Sequence, residues 1–407
     1  MSELWRPAVE WELKSMIAQL QANKRPVEIL GHGSLRGVGR PLVQDIAITT
    51  ASMRGVTLYQ PTELVMAAKA GTPLLEIEAE LAAHGQMLPF EPMDLGPASG
   101  GPASSQTIGG VFATNLSGPR RISAGGARDH LLGISAVNGR AEAFKSGGRV
   151  MKNVTGYDVA RGLTGSWGTL AVLTEVTFKV VPMPEAILTL VYPGLPDDLA
   201  VELMTAAMAT PYDISSAAHL PKATAARLTH PRLKDIGEAL TAVRLENFAT
   251  FLAGRSGKLK EALKVYGTPL EFGAEETYAL WSDIRHLNVM PFSTDTSLWR
   301  ISTAPTKAPE IVAAIERFMP AHALYDWSGG LVWLEVPAAA DAGSADVRRA
   351  VAVRGGHATL IRAAPGVRQS VEIFEPMRPE VDRLTKDLKS SFDPDRLLNP
   401  GRMYAHI

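Results

Sequence analysis

The residues RPVEILGHGSLRGVGRP, positions 25–41, place four glycines within nine consecutive positions, with a histidine and an arginine among them. Glycine at this density occurs where the backbone turns tightly or approaches a ligand closely. Backbone N–H groups in such a turn can bind a diphosphate. Gly31 and Gly33 begin a G-x-G-x-x-G pattern, but the later glycines and Pro41 prevent the helix that a Rossmann motif requires. The stretch predicts either a strand-to-strand phosphate loop or a glycine-rich surface turn.

A second glycine-rich stretch, positions 94–133, holds eight glycines between 96 and 126. A loop of this length in a compact domain is usually functional or disordered. Apolar residues at 108, 111 and 112 are spaced like buried anchors, which argues against disorder. Small residues allow backbone to lie against a planar ligand, and nearby side chains can hydrogen-bond its ring atoms: Thr107, Thr114, Asn115 and Ser117. A purely structural crossover is the alternative.

The elements around these loops are read from periodicity. Residues 170–182 alternate like a strand, and Pro182 and Pro184 end it, which indicates a domain boundary near 182–186. A helix is predicted after Thr72, with Thr72 as N-cap, Pro73 in its first turn and Gly85 at its end. The preceding residues 62–71 fit strand and helix equally well by propensity.

The remainder of the chain alternates helical and strand patterns, which is typical of an α+β domain. Helices are predicted over 197–208, 257–265, 274–285 and 308–318, with strands over 297–302 and 330–336.

Composition excludes several classes of function. A net charge of −1 over 407 residues gives no electrostatic reason to expect nucleic acid or an anionic membrane as partner. The absence of cysteine excludes disulfides, iron–sulfur ligation and zinc–thiolate sites in this chain. The N-terminus does not read as a secretory signal and no apolar run is long enough for a membrane helix. We therefore expect a cytoplasmic protein, with any membrane association made through partner subunits.

Several motifs occur together in one order: GHGS (31–34), TIGGVFATNLSG (107–118), ARDHLLG (127–133), positions 151–182, and LLNPGRMY (397–404). In this order the chain resembles flavoproteins with the vanillyl-alcohol-oxidase / p-cresol-methylhydroxylase type of FAD-binding domain. Within them it is most similar to the FAD-binding subunits of bacterial glycolate oxidases (glycolate dehydrogenases), over essentially its whole length. The resemblance implies an α+β fold with a two-subdomain FAD-binding domain over 1–184, an α+β cap or substrate domain over 185–390, and a tail, 391–407, that returns to the first domain.

The resemblance also implies which residues hold the cofactor. The pyrophosphate loop and the second subdomain would contribute Gly31, His32, Gly33, Ser34, Leu35, Thr107, Gly109, Gly110, Thr114, Asn115, Gly118, Glu175, Val176 and Asn399. For Asn399 and the nearby Arg402, a simple C-terminal turn is the alternative. Some relatives attach the flavin covalently to a histidine just after the glycines. Here Ser34 takes that place and His32 lies between two glycines, so non-covalent FAD is expected.

Oxidation of a 2-hydroxy acid needs a base for the hydroxyl proton, a cation or metal for the carboxylate, and a flavin to accept the hydride. Related D-2-hydroxy-acid enzymes, by the same resemblance, carry a histidine pair in an H-x-G-D-G-N-x-H motif, often with a metal. Positions 354–363, RGGHATLIRA, hold only His357, so no metal site is predicted. The candidate catalytic residues are His357, Tyr157 and Arg120, the last with its neighbour Arg121. Each has a plain structural or surface role as its alternative.

The resemblance thus implies an FAD-dependent oxidoreductase subunit that takes part in oxidising glycolate to glyoxylate. Its expected partners are a second flavoprotein subunit with the metal-site histidines and an iron–sulfur subunit. Two alternatives remain: a stand-alone FAD oxidoreductase for a small hydroxy acid, and an FAD-binding assembly subunit without turnover of its own.

Overall fold

The computed structural model describes residues 3–149 and 157–407. The first domain opens with a small parallel sheet in the order β1-β3-β2, covered by helix α1, whose apolar residues recur at helical spacing and are buried. Its strands are β1 (Glu3–Trp5), β2 (Glu28–Leu30), β3 (Ile46–Thr49), β4 (Val56–Gln60), β5 (Val65–Lys69), β6 (Gln86–Met87), β7 (Leu131–Asn138), β8 (Ala143–Gly147), β9 (Ala171–Lys179) and β10 (Val181–Pro182). Its helices are α1 (Glu10–Ala22), α2 (Leu74–Ala83), α3 (Ile108–Thr114), α4 (Arg121–Ala124), α5 (Ala127–His130) and α6 (Val159–Leu163).

The second part of this domain is an antiparallel five-stranded sheet in the order β4-β5-β9-β7-β8. Strand β9 lies at its centre and pairs with both β5 and β7, which explains why its side chains are largely buried. Helices α2 and α3 pack against this sheet through one apolar core. The first domain therefore consists of two α/β subdomains, as the resemblance implies.

The second domain is built on an eight-stranded antiparallel sheet in the order β14-β11-β13-β12-β16-β17-β15-β18. Its strands are β11 (Ala186–Pro193), β12 (Ile214–Leu220), β13 (Leu240–Asn247), β14 (Leu270–Phe272), β15 (Thr296–Ser302), β16 (His322–Asp326), β17 (Leu331–Pro337) and β18 (His357–Arg362). Its helices are α7 (Asp197–Met208), α8 (Lys222–Ala225), α9 (Pro231–Lys234), α10 (Ala249–Ala262), α11 (Ala274–Arg285), α12 (Ala308–Glu316), α13 (Ser344–Arg354), α14 (Pro365–Ser370) and α15 (Pro379–Phe392). The predicted α+β class is confirmed.

The C-terminal segment after α15 lies against the first domain. The Val27 N–H donates to the Leu397 carbonyl at 2.8 Å, so the tail extends the edge of the parallel sheet beside β2. Buried Lys389 fixes this arrangement, because its ammonium group donates to the carbonyls of Thr169 (2.6 Å) and Leu398 (3.0 Å) and to the Asp393 carboxylate (2.7 Å). The tail is thereby held at the subdomain boundary.

The structure agrees with some of the predicted helix and strand positions and differs from others. The ambiguous residues 62–71 contain strand β5, and the predicted helix over 257–265 is the C-terminal part of α10. The N-cap prediction for Thr72 is wrong, because α2 begins one residue later, with Pro73 as its N-cap. The Thr72 hydroxyl instead accepts the Gly55 N–H (2.9 Å) and donates to the Lys69 carbonyl (2.7 Å).

None of the helices within 3–149 and 157–407 has the length and apolarity needed to cross a bilayer.

Candidate active site

A cleft opens between the two subdomains of the first domain. One wall is the loop after β2, and the facing walls are the start of α3, the turn before β9 and the first residues of β9. The loops meet closely: a Cβ atom on Gly31 would lie 2.5 Å from Thr107 Oγ1. Gly33 turns the chain with φ +82°, a conformation that favours glycine. The predicted cofactor residues that line this cleft are Gly31, His32, Gly33, Ser34, Leu35, Thr107, Gly109, Gly110, Thr114 and Asn399.

The glycine loop presents unused hydrogen-bond donors. Within residues 3–149 and 157–407, the backbone N–H groups of positions 32–35 donate to no protein acceptor. Backbone donors in folded proteins are almost always paired, with protein, water or ligand. Consecutive N–H groups in a glycine-rich turn form an anion-binding concavity. This loop therefore has the geometry of a diphosphate cradle.

Positive charge accompanies these donors. Arg402 lines the cleft, and its guanidinium group donates to the Leu35 carbonyl at 2.6 Å. Burial lowers the pKa of Arg402 to about 10, with Arg368 and Arg36 lowering it further and Glu28 opposing them. Arg36 is itself paired with Glu28. Because Arg402 is a buried cation without a carboxylate in contact among the described residues, an anion bound at the loop would compensate its charge.

Asn399 connects the tail to both sides of the cleft. Its side-chain oxygen accepts the Ile29 N–H at 2.7 Å, and its amide group donates to the carbonyls of Ile29 (3.3 Å) and Trp167 (2.8 Å). Ile29 precedes the glycine loop, and Trp167 belongs to the turn before β9. Asn399 thus lies in the cleft, where its side chain orders the backbone on two walls.

Four predicted cofactor residues lie off this cleft. Asn115 ends α3 and accepts the Arg128 N–H at 3.1 Å. Gly118 is buried, donates to the Phe90 carbonyl at 2.9 Å and accepts from the Trp327 indole at 3.0 Å. Glu175 pairs with Lys69 at 2.9 Å, and the Val176 side chain lies in the apolar core.

The displacement of the last two has a simple geometric cause. Strand β9 reaches the cleft with its first residues, 171–173. Each further residue moves the chain by roughly 3.3 Å along the strand, so positions 175 and 176 lie about 7–10 Å beyond. The residues of β9 that border the cleft are therefore those at its start, positions 171–173.

A second group of functional side chains lies where the two domains meet. The guanidinium Cζ atoms of Arg121 and Arg300 lie 4.6 and 5.1 Å from the ring centre of Trp327. His357 pairs with Ser302 in the β15–β18 register, which places it on the same sheet face as Arg300. The site is linked to the cleft, since Leu35 and Trp167 line the cleft and also pack on the apolar core, built from both domains, that contains Trp327.

The electrostatics of this interface are positive. His357 is solvent-exposed at the start of β18, and partial desolvation, followed by the charges of Arg300 and Arg121, lowers its pKa against the opposing effect of Glu375. A histidine with a pKa below 6.5 is mostly uncharged at pH 7 and can accept a proton. His357 thus has the protonation state that a general base needs.

The other two predicted catalytic residues do not share this site. Arg120 points away from it and forms an ion pair with Glu246 at 2.8 Å, in a buried network that also holds Glu91 and Arg244. Tyr157 is 92% exposed. The Arg120 guanidinium is thus paired in the interior and the Tyr157 phenol faces solvent, so neither side chain lies with the group around Trp327.

Sequence reasoning missed Arg300. Its only signal was a charged residue inside the apolar strand SLWRIS, 297–302, which periodicity alone treats as an interruption. The structure shows that this arginine is carried on β15 to the domain interface.

Within residues 3–149 and 157–407, no group of three histidine, aspartate or glutamate side chains is arranged to hold a metal ion.

Comparison with known proteins agrees with this architecture. Residues 3–147 match the family described as an FAD binding domain. Over 399 residues the chain is 34% identical to glycolate oxidase subunit GlcE of Escherichia coli, and the alignment covers 97% of this chain and 97% of that protein. The chain belongs to the FAD-linked oxidoreductase family of the glycolate oxidase subunits. Another member, glycolate oxidase subunit GlcD of Bacillus subtilis, is 25% identical over 435 residues, covering 97% of this chain and 87% of that protein.

The fold of this family extends to more distant flavoproteins. The solved structure of p-cresol methylhydroxylase superposes with a TM-score of 0.73 at 13% identity, covering 99% of this chain and 88% of that one. The cleft fits the family's cofactor on its own geometry: a glycine approach with no room for a Cβ, a row of unpaired amides, and a buried arginine. These are the features that a dinucleotide diphosphate requires.

Proposed function

We propose that this chain is the FAD-binding subunit of a glycolate oxidase/dehydrogenase complex that oxidises glycolate, a 2-hydroxy acid, to glyoxylate. The observation that carries the proposal is the row of N–H groups at positions 32–35, which have no acceptor in the part of the chain that the structure describes and which face Thr107 across Gly31. The relatives support the substrate class, because both glycolate oxidase subunits match along nearly the whole chain. We assign FAD binding to residues 1–184 with the tail 391–407, and the cap role to residues 185–390.

Each part of the cleft has a role in this proposal. The loop amides at 32–35 hold the diphosphate, Arg402 balances its charge, and Asn399 fixes the backbone around it. Gly31, Gly109 and Gly110 keep the walls free of side chains. When bound there, FAD supplies a flavin ring that accepts a hydride from the substrate carbon.

The binding is non-covalent in this proposal. His32 lies in the loop between Gly31 and Gly33, and Ser34 occupies the position where some related flavoproteins carry their linking histidine. The test is acid precipitation of the purified yellow protein. Release of all flavin into the supernatant supports non-covalent binding, whereas a yellow pellet would show a covalent bond.

The chain's own contribution to the chemistry is a proton acceptor. The uncharged His357 imidazole would accept the hydroxyl proton of the substrate, and FAD bound in the cleft would supply the acceptor for the C–H hydride, which together convert the substrate to the 2-oxo acid. The lowered pKa of His357 keeps the imidazole able to accept that proton at pH 7. His357→Asn is expected to slow reduction of the flavin by glycolate by about 10²–10⁴-fold, the usual contribution of a general base.

Electron transfer beyond the flavin requires partners. The chain has no cysteine, so it cannot ligate an iron–sulfur cluster. We propose that a second flavoprotein subunit and an iron–sulfur subunit complete the complex, in the cytoplasm or at a membrane reached through those subunits.

The deciding experiment is a visible absorption spectrum of the purified chain, alone and with its partner subunits, before and after anaerobic addition of glycolate. Bleaching only with partners present supports the complex. Bleaching of the isolated chain, with full turnover, would favour a stand-alone oxidoreductase. A flavin that glycolate never reduces in either sample would favour an FAD-binding assembly subunit.

A further inference from the structure

Trp327 brings together positive charges from both domains. Arg121 begins α4 in the first domain, and Arg300 lies in the middle of β15 in the second. Both guanidinium groups approach the ring of Trp327, and that of Arg300 also lies 5.9 Å from the ring centre of Trp333. Cation–π contacts of this kind orient a guanidinium group without neutralising it.

No protein carboxylate completes this cluster. Within residues 3–149 and 157–407, neither Arg121 nor Arg300 forms an ion pair or a side-chain hydrogen bond. The nearby Asp326 instead accepts the Trp327 N–H at 2.7 Å. Complete burial raises the pKa of Asp326 to about 7, so its negative charge is only partial at neutral pH. The charge of Asp129 also acts on Arg121, but without a direct contact, so within the described ranges neither arginine has a carboxylate paired with it.

The pKa values of both arginines are lowered in this environment. Burial, followed by the charge of Arg121, lowers the pKa of Arg300 to about 10. Burial also lowers the pKa of Arg121. The charges of Asp129 and Asp326 oppose these shifts only in part, and two cations held together in a buried interface without a paired carboxylate are unfavourable in the free protein. An anionic ligand between them would convert that repulsion into attraction.

The backbone that carries Trp327 adopts an unusual conformation. Trp327, Ser328 and Gly329 have φ values of +51°, +58° and +91°, three consecutive residues in the left-handed region. Such conformations are rare for bulky residues and gather at functional sites. The Trp327 indole N–H is also fixed by the Gly118 carbonyl at 3.0 Å. The ring that orients both arginines therefore has a defined position at the domain interface.

We propose that Arg121 and Arg300 bind the carboxylate of the 2-hydroxy acid, with Trp327 as the positioning residue that holds both guanidinium groups beside His357. The inference rests on the proposed function and adds the residues that select its substrate. A guanidinium fork matches the two oxygens of a carboxylate. The site consequently selects short hydroxy acids over neutral diols, which lack the anionic group.

The test uses the FAD-loaded chain within its complex. Oxalate is the probe, because it carries the carboxylate of glycolate but has no C–H bond to oxidise. Its binding is followed by the change in the flavin absorption spectrum, alongside KM and kcat for glycolate. The variants are Arg121→Gln, Arg300→Gln and Arg300→Lys. The control is Arg349→Gln, an arginine that stacks on the exposed ring of Phe318.

We expect Arg121→Gln and Arg300→Gln to raise Kd for oxalate and KM for glycolate by about 10–100-fold each, as for a lost charge-assisted hydrogen bond. Arg300→Lys restores part of the affinity because it restores the charge, and Arg349→Gln behaves as wild type. FAD content stays unchanged in all variants.

Unchanged Kd and KM in both glutamine variants would overturn the carboxylate site, while wild-type reduction by glycolate would leave the proposed function standing. Wild type that glycolate does not reduce and oxalate does not perturb would instead refute the proposed function. Should Arg300→Gln fail to retain FAD, Arg121→Gln decides by the same criteria.

Discussion

The side chain of Asn399 pairs with both the N–H and the carbonyl of Ile29, at 2.7 and 3.3 Å, across 370 positions of sequence. This amide acts like one further residue of a neighbouring strand, and its third hydrogen bond reaches the Trp167 carbonyl. The C-terminal tail thus controls the entry of the chain into the glycine loop. Three backbone groups of the cleft depend on one side chain.

Replacement of Asn399 by alanine is expected to weaken FAD binding by about tenfold or more, since it leaves buried backbone groups without their partner. The measurement is a fluorescence titration of the apoprotein with FAD. Asn23→Ala is the matched control, because Asn23 bonds only a carbonyl of its own surface helix. An unchanged dissociation constant would show that the tail does not order the cleft.

Substitution of Gly31 tests whether the close approach of the two cleft walls matters for FAD binding. An alanine Cβ would lie 2.5 Å from Thr107 Oγ1 and 3.0 Å from its Cγ2, so Gly31→Ala must push the loops apart. We expect at least about a tenfold rise in the dissociation constant for FAD, given the cost of overpacking. Adding Thr107→Ala should recover part of the loss, because the pair is in contact. Gly254→Ala, in open space on α10, is the control; equal affinities for both alanine variants would contradict the prediction.

Arg120 should behave as a structural residue. Its replacement by glutamine leaves the carboxylate of Glu246 short of one partner in a buried network, and breaking such a pair costs about 3–5 kcal/mol. The free energy of unfolding and Tm should fall, whereas KM for glycolate should not follow the rise expected for Arg121→Gln. Arg255→Gln removes a more exposed pair with Asp213 and should cost about 1 kcal/mol or less. A large KM effect with unchanged Tm would return Arg120 to the substrate site.

The environment of His286 predicts that the free energy of unfolding is sensitive to acid. Burial, then the charge of Arg285, lowers its pKa to about 4 in the folded chain, and its Nδ1 accepts the Asp94 N–H at 3.1 Å. Below pH 6.5 the unfolded chain binds the proton more readily, so the free energy of unfolding decreases as the pH falls from 6.5 towards 4. The full effect is about 3 kcal/mol.

His286→Gln removes this titration, and its stability should depend less on pH over that range than the wild type's, as measured by urea unfolding at each pH. His84→Gln, which changes an exposed histidine at the end of α2, should leave the wild-type slope unchanged. Identical slopes for wild type and His286→Gln would contradict the assignment.

Local rules were enough for much of this protein. Strand alternation and turn-forming glycines depend on neighbours in sequence, so strand β9 and the glycine turn at 31–35 could be predicted. The long loop expected over 94–133 instead contains the helices α3, α4 and α5. The ordered set of motifs likewise indicated the flavoprotein fold. The resemblance, and not the strand pattern, indicated Glu175 and Val176, because a strand's pattern shows which residues face inward but not which part of the strand borders a cleft.

The tertiary structure alone decided how the domains meet. Arg120 and Arg121 are equivalent by composition, yet successive residues at a helix start project in different directions. One therefore enters a buried ion-pair network and the other approaches Trp327. Arg300 and Asn399 acquire their roles from residues far away in sequence, through contacts that periodicity cannot encode. The sequence determined the cofactor loops because their conformation is local; the substrate side of the interface depends on long-range packing.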